Sequence, residues 1–212
     1  MSTSATTEST HLLFLRHAEV EEAYHRVFGG RIDMNISPLG GRQAAALAEY
    51  VSRKFKVEAL YQSPMKRVCQ TLEPYLARRT DLQPVVDADL REVDFGAWTG
   101  LRWTQIQERF GVTAFDWLDN LERGTMPDAE PEELFRRRVD GVLKRIAAGH
   151  AGRTVAVACH GGVIRMALSI LLDLPLHKMT HLEIDYASLT WVEWRPGKTE
   201  MQLHNFTPWR DL

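Results

Sequence analysis

The sequence predicts one α/β domain, a three-layer α/β/α sandwich in which helices cover both faces of a central, mainly parallel sheet. Two continuous apolar segments, residues 12–15 and 154–159, are typical of strands that are buried on both faces. Segments with helical periodicity alternate with strand-like segments, which is typical of a parallel sheet with crossover helices. No repeat or linker divides the chain, so residues 11–212 are predicted to form a single domain after a disordered tail at residues 1–10.

In the first half of the chain, capping residues and periodicity place the elements. Ser37 and Pro38 predict a helix start, because serine caps helix N-termini and proline suits the first helical position. Apolar residues then recur at helical spacing as far as Phe55. The other predicted segments are a loop over residues 19–36, strands over residues 59–61 and 84–86, and a helix over residues 65–79 that Pro74 kinks or interrupts.

The second half contains the later helices and strands. Residues 101–121 are predicted to form one or two short helices whose aromatic side chains pack in the core. A further helix is indicated by an apolar face with helical spacing: Phe135, Val139, Val142, Leu143 and Ile146. Beyond the second apolar strand, the sequence predicts a helix over residues 163–172. Alternating strands then follow over residues 182–186 and from Leu189 onward, with a turn at residues 195–198.

The composition is ordinary for a globular protein and argues against several functional classes. Of the 212 residues, 44% are hydrophobic and 25% are charged. A formal net charge of −2 gives no support for binding to nucleic acid or to a membrane surface. No apolar run is long enough to span a bilayer. The two cysteines, Cys69 and Cys159, are too few for a disulfide framework, and we therefore expect a cytoplasmic protein.

Both apolar strands end in a histidine. Arg16 and His17 follow the first strand, whereas His160 and Gly161 follow the second. Because the carboxyl ends of parallel strands meet at one edge of a sheet, we expect the two histidines to face each other across one pocket. Arg67, at the start of another predicted helix, adds a cation to this edge. One such histidine is usually structural, but this combination indicates a site for an anionic, phosphate-like ligand.

Sequence blocks around these residues follow one another in a distinctive order. The blocks are Arg16-His17-Ala18; Gly30-Arg31-Ile32-Asp33 followed by Ser37-Pro38-Leu39-Gly40; Ser63-Pro64-Met65-Lys66-Arg67 with Gln70-Thr71; Leu90-Arg91-Glu92 with Phe95-Gly96 and Gly100; and His160-Gly161-Gly162-Val163-Ile164-Arg165. Together they resemble the motifs of the histidine phosphatase superfamily, which includes cofactor-dependent phosphoglycerate mutases and phosphatases such as α-ribazole phosphatase. The resemblance covers nearly all of residues 12–206.

The resemblance implies a phosphomonoester hydrolase that acts on a small phosphorylated metabolite through a phosphohistidine. His17 is then the nucleophile, which must be neutral to attack, and nearby arginines disfavour its protonation. Glu92 protonates the leaving oxygen and later activates water, a role that we could not assign from the sequence pattern alone. His160 helps to hold the phosphoryl oxygens and to stabilise charge in the transition state.

The resemblance also implies the groups that bind substrate. Arg16 and Arg67 are expected to hold the phosphoryl oxygens, and Gly161 to let the backbone approach them. Arg31 either contacts substrate or is an exposed loop arginine. We expect no metal and no cofactor, because cationic side chains replace the ion. A homodimer is compatible with aromatic residues such as Trp209, although packing within the chain explains that residue equally well.

Several positions depart from the family pattern. Ala18 stands where glycine is usual, beside the proposed nucleophile, and Ala23 stands where the family has an asparagine that contacts phosphate. Thr99 replaces a frequent glutamate. Residues 128–131, Asp-Ala-Glu-Pro, are a weakened form of a Gly-Glu-Ser loop found in many of the phosphatases.

Three alternatives use the same residues differently. A phosphoglycerate mutase also begins with a phosphohistidine, but the basic, proline-rich insertion of true mutases is not evident, which favours a phosphatase. Cys159 and Arg165 have the Cys-x5-Arg spacing of cysteine-dependent phosphatases, although the usual flanking residues are missing. A non-catalytic phosphate-binding protein would explain Ala18 as a sign of decay. The sequence does not name the phosphate ester.

Overall fold

A six-stranded sheet forms the centre of the part of the chain that the structure describes, which is residues 8–195 and 197–211. The structure is a computed structural model. Its strands are β1 (Thr10–Arg16), β2 (Ala59–Gln62), β3 (Val85–Val86), β4 (Thr154–Cys159), β5 (Leu189–Arg195) and β6 (Lys198–Phe206). Its helices are α1 (Pro38–Lys54), α2 (Lys66–Leu76), α3 (Trp103–Phe110), α4 (Trp117–Glu122), α5 (Glu132–Gly149), α6 (Gly161–Leu171) and α7 (Pro208–Asp211).

The strand order is β3-β2-β4-β1-β5-β6. The pairs β1–β4, β2–β4 and β2–β3 are parallel, whereas β1–β5 and β5–β6 are antiparallel. The sheet therefore has a parallel part, which is joined by crossover helices, and an antiparallel edge formed by the C-terminal hairpin. This arrangement confirms the predicted fold class.

Alternate residues of β1 support the two sides of the sandwich. Leu12 and Phe14 pack into one core with side chains of α3, α4, α5 and α6. Leu13 and Leu15 pack into a second core with side chains of α1 and α2. The continuous apolar segment at residues 12–15 is thus covered on both faces, as the sequence predicts. None of the helices in the described residues combines the length and the apolarity needed to cross a lipid bilayer.

The register of the parallel strands determines where the functional residues lie. Arg16 is the register partner of Cys159, so His17 and His160 leave the sheet side by side. Gln62 at the end of β2 pairs with Ala158, which brings Ser63 to the same edge. The carboxyl ends of three strands therefore meet at one place, the usual ligand-binding edge of an open α/β sheet.

Most predicted helices and strands are present, with small differences at their ends. Ser37 caps α1, and its Oγ accepts a hydrogen bond from Gly40 N at 2.9 Å. Helix α2 continues through Pro74 but ends at Leu76, three residues before its predicted end. Helix α6 begins at Gly161, two residues earlier than predicted, directly after its N-cap residue, His160.

Two predicted segments differ more. The predicted strand at residues 182–186 is wrong, because these residues form an irregular segment whose backbone groups bond to side chains. Arg165 donates to Leu182 O, and Asp185 N donates to the Asn205 side chain. Strand β1 already begins at Thr10, which is buried, so the predicted disordered tail cannot extend to residue 10. Residues 1–7 of that tail lie outside the described residues.

Candidate active site

A cavity of about 420 Å³ opens at the edge where the parallel strands end. Five of the predicted site residues line it: Arg16, His17, Arg67, Glu92 and Gly161. The structure thus brings together side chains that are far apart in the chain, with cationic groups and a carboxylate around one space. The other two predicted residues, His160 and Arg31, do not line the cavity.

His17 is held as a neutral ring with a defined tautomer. Its Nδ1 lies 2.8 Å from the carbonyl oxygen of Ala18, which can only accept, so Nδ1 carries the proton and donates. In a neutral imidazole this leaves the lone pair on Nε2 available. Burial, together with the charges of Arg67 and Arg16, holds the pKa of His17 well below its usual range. The ring therefore has the protonation state of a nucleophile.

The backbone around His17 is fixed by hydrogen bonds on both sides. His17 N donates to Cys159 O at 3.1 Å, and Ala187 N donates to His17 O at 3.1 Å. Ala18 N donates to the Thr71 hydroxyl at 2.8 Å. Ala18 is not in the left-handed region, so the alanine replaces the family's glycine without backbone strain.

His160 lies beside His17, with the two ring centroids 5.2 Å apart, and is completely buried. Arg67 Nε donates to His160 Nδ1 at 3.2 Å, so Nδ1 is unprotonated and Nε2 donates to Ser63 Oγ at 2.8 Å. Burial, followed by the charge of Arg67, holds the pKa of His160 well below its usual range. Both ring nitrogens are engaged within the protein, and contact of His160 with a phosphoryl group stays a prediction.

The two arginines predicted to bind phosphate are held differently. Arg67 is almost fully buried and donates to Gly30 O at 2.9 Å and to Ile32 O at 2.8 Å, which ties the loop before α1 to the site. Burial lowers the pKa of Arg67 to about 10, so the group remains charged at neutral pH. Arg16 donates to Ile184 O, and its Nε is buried with no hydrogen-bond partner among the described residues. An unpaired buried donor beside the cavity suits an anionic oxygen.

Glu92 is oriented by the start of α6. Its Oε2 accepts a hydrogen bond from Gly162 N at 3.1 Å, and its Oε1 accepts one from Val93 N at 3.0 Å. A Cβ atom at position 162 would overlap Glu92 Oε1. The second glycine after His160 therefore leaves the space that the carboxylate occupies.

We expect the substitution Gly162→Ala to lower kcat for an alkyl phosphate by at least about tenfold, because the new methyl group displaces the proposed acid–base group. Steady-state phosphate release measures the effect, and a thermal melt checks the fold. Gly41→Ala in α1 is the matched control, since nothing lies within 4 Å of a Cβ there and alanine favours the helix. An unchanged kcat in Gly162→Ala would show that the position of Glu92 does not matter.

The buried neutral histidines also predict a pH dependence of stability. In the folded state the pKa values of His17 and His160 lie below the unfolded value, chiefly because both rings are buried. As the pH falls below about 6.5, the unfolded chain therefore binds protons that the folded chain does not, and stability is lost. The free energy of unfolding should decrease by up to about 1.4 kcal/mol per pH unit for each histidine.

Denaturant unfolding of the wild type and of His17→Asn between pH 6 and pH 5 measures this contribution. Removal of one buried imidazole should make the plot of unfolding free energy against pH shallower. The difference in slope should correspond to nearly one bound proton. Titration of the other groups is shared by the two proteins and cancels in the comparison. Equal slopes would show that His17 binds its proton equally well in the folded and unfolded chains.

Cys159 is not placed for catalysis. Its side chain is completely buried and packs in the core beneath α6, away from the cavity lining. Burial raises the pKa of the Cys159 thiol far above its ordinary value, so the reactive thiolate does not form at neutral pH. The Cys-x5-Arg alternative is therefore wrong.

Arg165 lines the cavity, although we did not predict it as a site residue. Its guanidinium donates to Leu182 O at 3.0 Å and to Met179 O and Gly161 O at 3.3 Å, which ties α6 to the irregular segment after it. Burial lowers the pKa of Arg165 to about 10, so it too remains charged at neutral pH. The signal in the sequence was its position one turn of helix after Gly161, on the same helix face.

Arg31 lies outside the cavity lining. Its guanidinium is half exposed and faces Asp94 Oδ2 at 3.7 Å and Glu130 Oε2 at 3.9 Å. Glu130 itself is held by Arg138, whose Nε donates to Glu130 Oε1 at 2.7 Å. Residues 128–131, where the family motif is weakened, thus support the surrounding loops, and contact of Arg31 with substrate stays a prediction.

The sequence predicts that the aromatic residues of segment 101–121 pack in the core, but not all of them do. Trp103, Phe115 and Trp117 line the cavity, and Phe115 is 68% exposed. Within the same segment, Ile106 and Leu118 are completely buried. Each short helix therefore turns an aliphatic residue to the core and an aromatic residue to the cavity.

Comparison with known proteins shows the family to which this fold belongs. The model of the histidine phosphatase superfamily, branch 1, matches residues 12–207, and the chain belongs to this family. A bifunctional protein of Mycobacterium tuberculosis is 35% identical over 206 residues, which are 97% of this chain and 56% of that protein. This chain therefore spans about half the length of that relative.

Two further relatives match over nearly their whole length. Phosphoserine phosphatase 1 of Hydrogenobacter thermophilus is 27% identical over 197 residues, which are 92% of each chain. The solved structure of a mycobacterial glucosyl-3-phosphoglycerate phosphatase has a TM-score of 0.81 and 25% identity, and the match covers 92% of this chain and 98% of that one. The family resemblance predicted from the sequence blocks is confirmed.

Proposed function

We propose that the protein is a metal-independent histidine phosphatase that hydrolyses phosphomonoesters of small metabolites through a phosphohistidine at His17. The observation that carries this proposal is the neutral His17 ring, whose Nδ1 donates to Ala18 O and leaves Nε2 available at a cationic cavity. The phosphatase names of two relatives support water, rather than a second substrate position, as the final acceptor.

In the first step, His17 Nε2 forms a bond to phosphorus while the bond between phosphorus and the ester oxygen breaks. Glu92, as the carboxylic acid, gives its proton to the departing oxygen. Arg16 and Arg67 stabilise the negative charge on the phosphoryl oxygens as the transition state forms. The products of this step are a free alcohol, a phosphohistidine and a Glu92 carboxylate.

In the second step, water attacks phosphorus and the bond from His17 to phosphorus breaks. The Glu92 carboxylate takes a proton from the attacking water and returns to its acid form. Inorganic phosphate leaves, and His17 returns to the neutral tautomer that its hydrogen bond to Ala18 O favours. Both groups are then ready for the next substrate.

The positive charge of the cavity side chains supports the metal independence in this proposal. Arg16, Arg67 and Arg165 line the cavity and supply the charge that a divalent ion supplies in many phosphatases. Among residues 8–195 and 197–211, no three His, Cys, Asp or Glu side chains are grouped so that they could hold a metal ion.

Phosphate release from a panel of phosphomonoesters, measured with and without a strong chelator, tests this function. We expect release from several esters at rates that the chelator does not change. Loss of activity that added Mg²⁺ or Zn²⁺ restores would contradict metal independence. A folded protein that releases phosphate from no ester in the panel would contradict the phosphatase itself.

We also propose a cytoplasmic location, which the free thiols of Cys69 and Cys159 support.

A homodimer stays a prediction. Trp209, which was considered for such an interface, donates its indole N–H to Tyr186 O at 2.9 Å and packs against the second core. This aromatic residue therefore has a structural role within the chain.

A further inference from the structure

Three aromatic side chains, Trp103, Phe115 and Trp117, form one side of the cavity, which we call the aromatic wall. Trp117 lies at its inner end, where its Cη2 atom would be 3.2 Å from a Cβ at Gly162. Trp103 and Phe115 lie at the outer end in an edge-to-face pair with centroids 5.1 Å apart. They are 38% and 68% exposed, so the wall presents apolar surface that the fold itself does not cover.

A second groove of about 570 Å³ lies at the outer end of the wall. Trp103, Ala114 and Phe115 line both the cavity and the groove, so these three residues form the boundary between the two spaces. Thr104 and Thr113 also line the groove, and Arg26 and Arg102 bring positive charge to it. The outer end of the wall thus borders a second, mainly apolar surface depression with two arginines among its lining residues.

The position of Glu92 determines which part of a substrate meets the wall. In the proposed function, the phosphoryl group lies between His17 and the arginines, and the ester oxygen faces Glu92. A Cβ at Gly162 would meet both the Glu92 carboxylate and Trp117 Cη2, so the carboxylate lies next to the inner end of the wall. Atoms beyond the ester oxygen are therefore close to the wall. The wall thus faces the leaving alcohol rather than the phosphate.

We propose that the aromatic wall binds the leaving group, and that the protein selects phosphomonoesters whose alcohol carries a flat, apolar ring system. This inference rests on the proposed function and adds the substrate class to it. A planar ring would stack on exposed aromatic faces and cover surface that is otherwise in contact with water. A small zwitterionic alcohol such as serine would leave Phe115 exposed. Contact with the wall would then contribute little to the binding free energy of its phosphate ester.

Two synthetic esters test the preference without a difference in leaving-group chemistry. 2-(2-Naphthyl)ethyl phosphate and ethyl phosphate both release a primary alcohol, so their ester bonds are similar and their apolar parts differ. We expect kcat/KM of the wild type to be at least about tenfold higher for the naphthyl ester, mainly through a lower KM, because stacking occurs before and during the reaction.

Phe115→Ala should reduce this preference by about tenfold, because it removes the most exposed ring of the wall. Phe115 contributes little to the core, so the variant should remain folded. Leu134→Ala on α5 is the matched control, since Leu134 is also an exposed apolar residue, at 48%, and lies outside the cavity lining. That control should keep the preference of the wild type.

The outcomes separate the two proposals. His17-dependent hydrolysis of both esters with no preference, or a preference that Phe115→Ala leaves unchanged, would overturn the aromatic leaving-group site and leave the phosphatase intact. Hydrolysis of neither ester, or equal hydrolysis by the wild type and His17→Asn, would instead overturn the proposed function. A preference that both Phe115→Ala and Leu134→Ala reduce equally would show a general loss of stability and would also contradict the site.

Discussion

Replacement of His17 by asparagine is expected to lower kcat/KM for phosphomonoesters by about 10⁴-fold or more. The effect is large because Nε2 receives the phosphoryl group in the proposed mechanism, and an asparagine amide has no comparable nucleophile. Asparagine keeps a polar side chain next to Arg16 and Arg67, which limits the structural disturbance. Phosphate release by the purified variant measures the loss, and circular dichroism verifies that the variant is folded.

Cys159→Ala is the matched control for this prediction. The thiol lies one residue from His160 but points into the core, and its loss removes a buried sulfur without touching the cavity. We expect this variant to retain most of the activity of the wild type. An inactive Cys159→Ala protein together with an active His17→Asn protein would reverse the assignment of the nucleophile.

The second large effect is expected from Glu92→Gln. Loss of the general acid should slow the hydrolysis of an alkyl phosphate by about 10²- to 10⁴-fold. The first step with p-nitrophenyl phosphate should slow much less, because p-nitrophenolate leaves without a proton. Glutamine is similar in shape and can still accept the hydrogen bond from Gly162 N, so the local structure should be preserved.

Rapid-mixing kinetics distinguish the two roles of Glu92. In Glu92→Gln, p-nitrophenol should appear in a burst of about one equivalent per site, followed by slow turnover, because the amide cannot deprotonate the attacking water. Glu108→Gln, an exposed position on α3 outside the cavity lining, should behave like the wild type. An equal loss of the first step for the alkyl and the nitrophenyl ester would contradict the role of Glu92 as the acid.

Much of the fold could be predicted because the strongest signals were local. The apolar strand at residues 12–15 and the capped start of α1 depend on neighbours within a few residues. The segment at residues 182–186 was mistaken for a strand because its apolar residues alternate. Its backbone instead bonds to Arg16, Arg165 and Asn205, and such contacts between distant parts of the chain leave no local pattern.

The site was also predictable in part, because two of its residues follow strands with strong local signals. His17 and His160 follow buried parallel strands, and the topology of such sheets brings strand ends together. Glu92 lies in an irregular loop without periodicity, so it was identified through family resemblance alone. The aromatic wall was missed because Trp103 and Phe115 have the composition of core residues, and the sequence does not indicate which face of a short helix looks into a cavity.

The structure also clarifies the departures from the family pattern. Ala18 is tolerated because its backbone is not left-handed and its N–H bonds to Thr71. Ala23, in place of the family's asparagine, lies on an exposed turn. The unpaired Nε of Arg16 remains available to an anion even without that asparagine. The proposed reacting groups are therefore retained although the sequence around them has changed.

The most direct measurement is the identification of the phosphorylated residue. Glu92→Gln protein mixed with a labelled phosphomonoester and quenched in alkali should carry the label on a peptide that contains His17. The label should be stable in base and lost in acid, and it should be absent from the double variant that also carries His17→Asn. A label on another residue, or turnover in which no histidine is labelled, would contradict phosphoryl transfer to His17.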